Sequence, residues 1–377
     1  MRKFIPILFV LLVSTGLFAQ TSKTVMHGGV SRQYLEYVPA VYNGSEPVPI
    51  VICLHGLGDN MNNFSGIGMH YIADTANFIV ITPQALVAYI YTYNMGTAWN
   101  SGASYMGFVL NQNVDDVGLI NKLIDTTMAL YNIDTTRIYV TGFSMGGFMC
   151  YRLACDMGDR IAAIAPVSGT MGAALSCSPS DPMPVCHFHG TADSTVTYTG
   201  NQYGNDPEVA IEYWRNYNQC DASPIFEALP DLAADGRTVE HYTWPNGNLN
   251  TEVEFFKVIG GDHEWLFQPT NDITYTIEIW KFFMKHSKTF TSSVGLNEEA
   301  GGFSISPNPS DGFVNVQLAG NTGISNIRIY NYTGEVVKEI STDRQNISFD
   351  GGDLDAGIYI MTVTNGNYRE SEKFVIY

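Results

Sequence analysis

The chain has 377 residues, 45% of them hydrophobic and 12% aromatic, and carries a net charge of −18 at pH 7. That apolar content excludes a disordered chain and suffices for one large core with a smaller companion domain. The acidic balance excludes a nucleic-acid partner, because binding to phosphates depends on clustered Lys and Arg.

At the amino terminus Arg2 and Lys3 precede an apolar run from Phe4 to Val13, and smaller residues follow as far as Ala19. This order predicts a signal peptide over residues 1–19, cut after Ala19. The run is too short to span a bilayer and no second one follows, so no membrane span is expected in the mature chain. Export places Cys53, Cys150, Cys155, Cys177, Cys186 and Cys220 in an oxidising compartment, with the pairing open. Cys53 and Cys186 lie in apolar, strand-like runs and are expected as buried thiols, whereas Cys155 at a helix end and Cys177 in a Ser/Pro loop form a candidate bridge.

From Ser31 to about Ser287, β-rich runs alternate with helical patterns, the signature of an α/β domain with a mostly parallel sheet covered on both faces. Strands are predicted at 33–38, 48–54, 78–82, 137–141, 162–167, 184–189 and 253–259. A helix is predicted from Asp115 to Tyr131, with Val117, Ile120, Leu123, Ile124 and Met128 at helical spacing. Asp115 and Asp116 suit its N-terminus and need no catalytic role. A last helix over 273–285 places Ile273, Ile277, Trp280 and Met284 on one stripe and closes the domain. Residues 288–302, rich in Ser, Gly and Glu, read as a linker. Residues 303–377 alternate apolar and polar positions between turns at 311–312, 333–334 and 365–366, which predicts a small all-β sandwich.

Gly142-Phe143-Ser144-Met145-Gly146 fits G-x-S-x-G between a predicted strand and a predicted helix. In that context the glycines let neighbouring chain pass close to a sharp turn, and the Ser144 hydroxyl is held out at the positive end of the helix. A serine nucleophile needs a base, and the base needs an orienting acid. Asp193 in "HGTADSTV" and His263 in "GGDHEW" follow in the chain order Ser, Asp, His, each just beyond a strand. Asp262 is a rival acid, but it adjoins the base in sequence. Backbone N–H groups of Met145 and of Leu57, in "VICLHGLGDN", are expected to form an oxyanion hole. His187 and His189 share one strand face without a third metal ligand, so packing beneath the acid loop is the better account, and neither metal nor organic cofactor is implied. His55 is expected to brace the oxyanion loop. Trp99, in a stretch rich in Tyr89, Tyr91, Tyr93 and Tyr105, and Trp265, beside the base, are expected substrate contacts.

The segments "LHGLGDN", "AWN", "VDDVGLINKLID", "RIYVTGFSMGGFMCYRL", "HGTADSTV" and "GGDHEW" resemble the poly(3-hydroxybutyrate)-depolymerase-like and feruloyl-esterase-like branch of the α/β-hydrolases. The resemblance runs from about Val48 to Trp265. It implies an α/β-hydrolase catalytic domain over 20–287 that cleaves carboxylic esters through a serine acyl-enzyme. Feruloyl or acetyl esters of plant polysaccharide, or short-chain polyesters, are the implied substrates. Family members often follow the histidine with Thr-Trp-Pro, where this chain has Glu264-Trp265-Leu266. Many also pair a cysteine placed like Cys220, which here lacks a matching partner. "ISPNPSDG", "IRIYNYTGEVV" and "LDAGIYIMTVTNG" resemble the C-terminal sorting domain of type IX secretion, which implies that machinery as a partner and secretion or display by a Gram-negative bacterium. A prolyl-oligopeptidase-like peptidase shares the triad order but normally carries a large selectivity domain. A non-catalytic surface adhesin would not need the triad.

Overall fold

The computed structural model describes residues 20–288, 303–310, 312–318, 324–331, 335–365 and 368–376. The expected leader, nearly all of the expected linker and the turns placed at 311, 333–334 and 366 lie outside these residues. The chain divides into two compact units, Met1–Phe290 and Thr291–Tyr377.

In chain order the first unit contains β1 (Thr21–His27), β2 (Val30–Tyr37), β3 (Val48–Leu54), α1 (Met61–Phe64), α2 (Met69–Ala76) and β4 (Ile79–Pro83). Two hairpins follow, β5 (Leu86–Ile90) with β6 (Tyr93–Ala98) and β7 (Ser104–Tyr105) with β8 (Phe108–Val109). Then come α3 (Asp116–Leu130), β9 (Ile133–Phe143), α4 (Met145–Asp156), β10 (Ala163–Val167), β11 (Val185–Gly190) and α5 (Pro207–Asn218). The unit ends with β12 (Ile225–Ala228), β13 (Thr238–Trp244), β14 (Val253–Ile259) and α6 (Tyr275–Phe283). One ten-stranded sheet runs β1-β2-β4-β3-β9-β10-β11-β14-β13-β12. Its six central strands from β4 to β14 are parallel, and antiparallel strands finish both edges.

The central strands read as unbroken apolar runs because helices cover both faces. Along β3, Ile50, Ile52 and Leu54 join one core with α3, α4 and α5, while Val51 and Cys53 face the other core with α2 and α6. The expected stripe of the last helix is corrected: Ile277 and Met284 are exposed, and Tyr275, Ile279, Phe282 and Phe283 form the buried face. A 3.6-residue period places 275, 279, 282 and 283 on one side, and the aromatic bulk there decides which side packs. Met128 of α3 is likewise exposed, with Leu119 and Thr127 buried in the stripe instead. Asp115 caps α3 through the Gly118 N–H, and buried Asp116 pairs with Arg32 at 2.8 Å. A bridge joins Cys155 and Cys177, whereas Cys53, Cys150, Cys186 and Cys220 are free thiols.

The second unit holds β15 (Phe303–Ser306), β16 (Phe313–Leu318), β17 (Ser325–Tyr330), β18 (Val336–Thr342), β19 (Asn346–Asp350), β20 (Gly357–Asn365) and β21 (Tyr368–Ile376). They form a three-stranded sheet, β15-β16-β19, and a four-stranded one, β18-β17-β20-β21, all antiparallel. Alternating side chains such as Val314, Val316 and Leu318 of β16 and Ile327 and Ile329 of β17 supply its core.

Candidate active site

Ser144 sits between β9 and α4 with φ 53° and ψ −117°, a conformation that non-glycine residues rarely adopt and that costs of order 1–3 kcal/mol. The neighbouring chain holds it there. The Ser144 N–H donates to the Val167 carbonyl of β10 at 2.8 Å. A Cβ on Gly146 would lie 1.9 Å from the Leu54 carbonyl oxygen, and one on Gly142 would lie 2.5 Å from the Gly146 backbone. Both positions therefore exclude side chains, and the pentapeptide can bend only where β3 and α4 meet.

The strand order brings the remaining groups to the same sheet edge. β9, β10, β11 and β14 are successive neighbours, so the loops after β9, β11 and β14 are close although far apart in sequence. Asp193, beyond β11, accepts a 2.8 Å hydrogen bond at Oδ2 from Nδ1 of His263, beyond β14. Its Oδ1 accepts from the Thr195 and Val196 N–H groups at 2.9 and 2.8 Å. Since a carboxylate only accepts, the His263 proton sits on Nδ1 and leaves Nε2 as a lone-pair base. His263 packs on the Phe143 ring, with centroids 4.8 Å apart. Ser144 and His263 line one cavity of about 270 Å³. Ser144 and His263 make no hydrogen bond to each other among the described residues, and such a contact commonly tightens only with substrate bound.

The rest of that cavity is formed by Gly56, Leu57, Asp59, Phe143, Met145, Phe148, Thr195, Val196 and Tyr203. Met145 opens α4, so its N–H is one of the donors a helix start leaves unpaired. The Leu57 N–H likewise has no acceptor among the described residues. His55 braces this loop. Its Nε2 accepts from the Ala85 N–H at 3.1 Å, which leaves Nδ1–H to donate to the Gly56 carbonyl at 2.8 Å.

Asp262 is placed differently from a triad acid. Its Oδ1 accepts from the Ser194 N–H and hydroxyl and from the His263 N–H, which tie the Asp193 loop to the His263 loop and lower its pKa. The expectation for Trp99 is corrected: the ring is fully buried, donates from Nε1 to the His55 carbonyl at 2.8 Å and supports the Leu57 loop from behind. An indole among apolar side chains needs one acceptor, and the loop backbone provides it. Trp265 donates to Thr276 and packs edge-on against Phe64 and Phe143, so it stands behind the cavity wall that Phe143 presents.

Behind Asp193 lies a buried chain whose tautomers follow from its partners. His189 Nε2 is 2.8 Å from the Val196 carbonyl and must donate to it, which leaves Nδ1 as an acceptor. His187 Nε2, 3.3 Å away, donates to that Nδ1, and its own Nδ1 accepts from the Tyr151 hydroxyl at 3.0 Å. Burial lowers the pKa of both imidazoles, that of His187 strongly, so both stay neutral. His189 Nε2 also lies 3.5 Å from Asp193 Oδ2. The two-residue spacing of the histidines was visible in the sequence, but the contribution of Tyr151 from α4 was not.

Residues 37–210 match the Phospholipase/Carboxylesterase family, and residues 304–377 match the secretion system C-terminal sorting domain. The chain is 27% identical to a bifunctional acetylxylan esterase/xylanase of Neocallimastix patriciarum over 75% of its own length and 37% of that protein's. Feruloyl esterase D of Neurospora crassa is 29% identical over 68% of this chain and 83% of its own length. Poly(3-hydroxyalkanoate) depolymerase C of Paucimonas lemoignei is 24% identical over 61% and 58%, respectively. The chain thus spans little more than a third of the first of these relatives and most of the second. Together with the doubly covered sheet, these matches give the first unit an α/β-hydrolase fold similar to that of carboxylesterases, and the tail is similar to a secretion-system C-terminal sorting domain.

Proposed function

We propose that this protein is a secreted serine esterase that hydrolyses acyl esters of plant polysaccharide, of the feruloyl or acetyl kind. The observation that carries this reading is the 2.8 Å Asp193–His263 bond with Ser144 on the wall of the same cavity. In the proposed reaction His263 Nε2 takes the Ser144 proton as Oγ attacks the ester carbonyl, and Asp193 holds the resulting imidazolium. The Leu57 and Met145 N–H groups stabilise the oxyanion, where loss of one donor typically costs about 10²–10³-fold in rate. Collapse expels the alcohol, which receives its proton from His263. Water activated by the same base then releases the acid and restores Ser144. The apolar cavity wall of Leu57, Phe143, Phe148 and Val196 suits the acyl group.

Residues 1–19 serve as a cleaved leader in this reading, 288–302 as a linker, and the tail as the address for type IX export to the surface or exterior of a Gram-negative cell. Short-chain polyesters are the second substrate class, favoured by the similarity to the depolymerase. Ser144→Ala should abolish p-nitrophenyl acetate hydrolysis and fluorophosphonate labelling while leaving the circular dichroism spectrum unchanged. Retained turnover would overturn the assignment, and an unlabelled wild-type chain would favour an adhesin.

A further inference from the structure

An aromatic row leads away from the cavity. Tyr203 lines the cavity, and the Tyr105 ring stacks on it at a centroid distance of 5.9 Å and an interplanar angle of 20°. In the β7–β8 hairpin Tyr105 stands opposite Phe108, and Phe108 meets the Tyr91 ring at 5.4 Å. Tyr91 and Tyr93, at the turn of the β5–β6 hairpin, are 81% and 74% exposed. It is a contiguous exposed apolar patch, rather than a single open side chain, that marks a binding surface, and here Tyr91 touches Phe108, itself 41% exposed. Among the described residues the hydroxyls of Tyr91 and Tyr93 have no hydrogen-bond partner.

Both hairpins are fastened to the catalytic loops. The Gly58 N–H donates to the Thr97 carbonyl at 2.9 Å, and a Cβ on Gly96 would lie 2.8 Å from the Gly58 Cα, so β6 rests directly on the oxyanion loop. Gln202, next to Tyr203, accepts from the Ser104 hydroxyl at 2.6 Å and from the Met106 N–H at 3.0 Å. The row therefore rises from backbone anchored beside the cavity. It is also uncharged: from Thr75 to Val114 the sequence has no Asp, Glu, Lys, Arg or His, in a chain whose net charge is −18.

We infer that this row is a docking platform for a neutral glycan chain, which carries the scissile ester to Ser144. The inference rests on the esterase reading and specifies its substrate. Pyranose rings present C–H faces to aromatic rings and hydroxyls to phenols, and a chain of them meets both the exposed rings and the unpartnered tyrosine hydroxyls. A polyester has no hydroxyl donors within its chain, and a uronate-rich polymer would be repelled by the acidic protein.

The test uses the full chain and the Tyr91→Ala/Phe108→Ala double variant. On acetylated xylan kcat/KM should fall about tenfold through KM, while p-nitrophenyl acetate turnover stays at the wild-type level. In native gels containing xylan, the Ser144→Ala chain should be retarded, and the same chain with the two aromatic substitutions should not. Equal losses on both substrates, or unchanged retardation, would overturn the platform. So would binding to poly(3-hydroxybutyrate) powder in place of xylan, or a wild-type dimer that the substitutions dissociate. A wild-type chain that leaves acetylated xylan intact would sink the substrate reading of the site, while the gel still judges the platform.

Discussion

Replacing His189 by Asn or by Gln separates its two hydrogen bonds. An Asn amide reaches about as far as the imidazole Nδ1 and can still accept from His187, but leaves the Val196 carbonyl without its donor. A Gln amide reaches as far as Nε2 and can still donate to Val196, but strands the His187 N–H. Each variant therefore leaves one buried group unpaired, a loss of about 1–3 kcal/mol, and should show a lower urea midpoint. Their activities should differ. Val196 and Asp193 belong to one loop, whose Oδ1 contacts to the Thr195 and Val196 N–H groups hold the carboxylate that orients His263. A shift of that loop by about 1 Å is enough to cost about 10²-fold. The Asn variant should thus lose about 10–100-fold in kcat for p-nitrophenyl acetate, whereas the Gln variant stays within a few-fold of the wild type. Tyr151→Phe, at the far end of the chain, should lower the midpoint with kcat nearly unchanged. Equal kcat for the Asn and Gln variants would refute the reasoning that the His189–Val196 bond holds the Asp193 loop in place.

Asp193→Asn should keep the fold and drop kcat about 10⁴-fold, because the amide can orient His263 with the wrong nitrogen protonated. Cys155→Ser/Cys177→Ser opens a bridge of sequence separation 22 and should destabilise the chain by about 3 kcal/mol in thermal or urea unfolding, with mass spectrometry of the wild type showing four alkylatable thiols before reduction. Burial lowers the pKa values of His55, His187 and His189 from 6.5, so below that pH the unfolded chain binds more protons than the folded one. Stability should be full above about pH 6.5 and fall as acid approaches the folded values, and a urea midpoint that rises between pH 7 and pH 5 would contradict this.

The sequence exposes the central strands because burial on both faces leaves them as apolar runs, as in Val48–Leu54. It hides β12, whose four residues are all exposed, and β13, which is mostly half-buried at the sheet edge, because neither carries that signal. The elbow at Ser144 is legible since its glycines answer to backbone contacts that only one local geometry makes. Trp99 misleads for the opposite reason: a large aromatic in a tyrosine-rich loop looks like a cleft wall, and its burial depends on where the His55 carbonyl sits. The paired histidines 187 and 189 are readable as one strand face, but the direction of their hydrogen bonds needs Tyr151 and Val196, which arrive from α4 and from the acid loop.

The same strand adjacency explains why the proposed site can tolerate a strained nucleophile. Ser144 is held by the β10 carbonyl of Val167 on one side and faces Gly56 on the other, where a Cβ would come within 3.4 Å of its own. Neither contact involves the hydroxyl, so the strain is borne by backbone packing, and the side chain is left free to move toward His263. Gly146→Ala tests that division. Its Cβ would strike the Leu54 carbonyl oxygen at 1.9 Å, backbone against backbone, with no flexible side chain to yield. The clash falls between β3 and α4, at the centre of the sheet, and overpacking of even a softer kind costs about 1–3 kcal/mol. Gly146→Ala should therefore give little soluble protein or a strongly lowered melting temperature. Gly66→Ala, where an added Cβ meets nothing within 4 Å, should be neutral in the same assay. A Gly146→Ala chain with wild-type stability and activity would show that α4 can withdraw from β3, and the close approach would no longer account for the serine's backbone geometry.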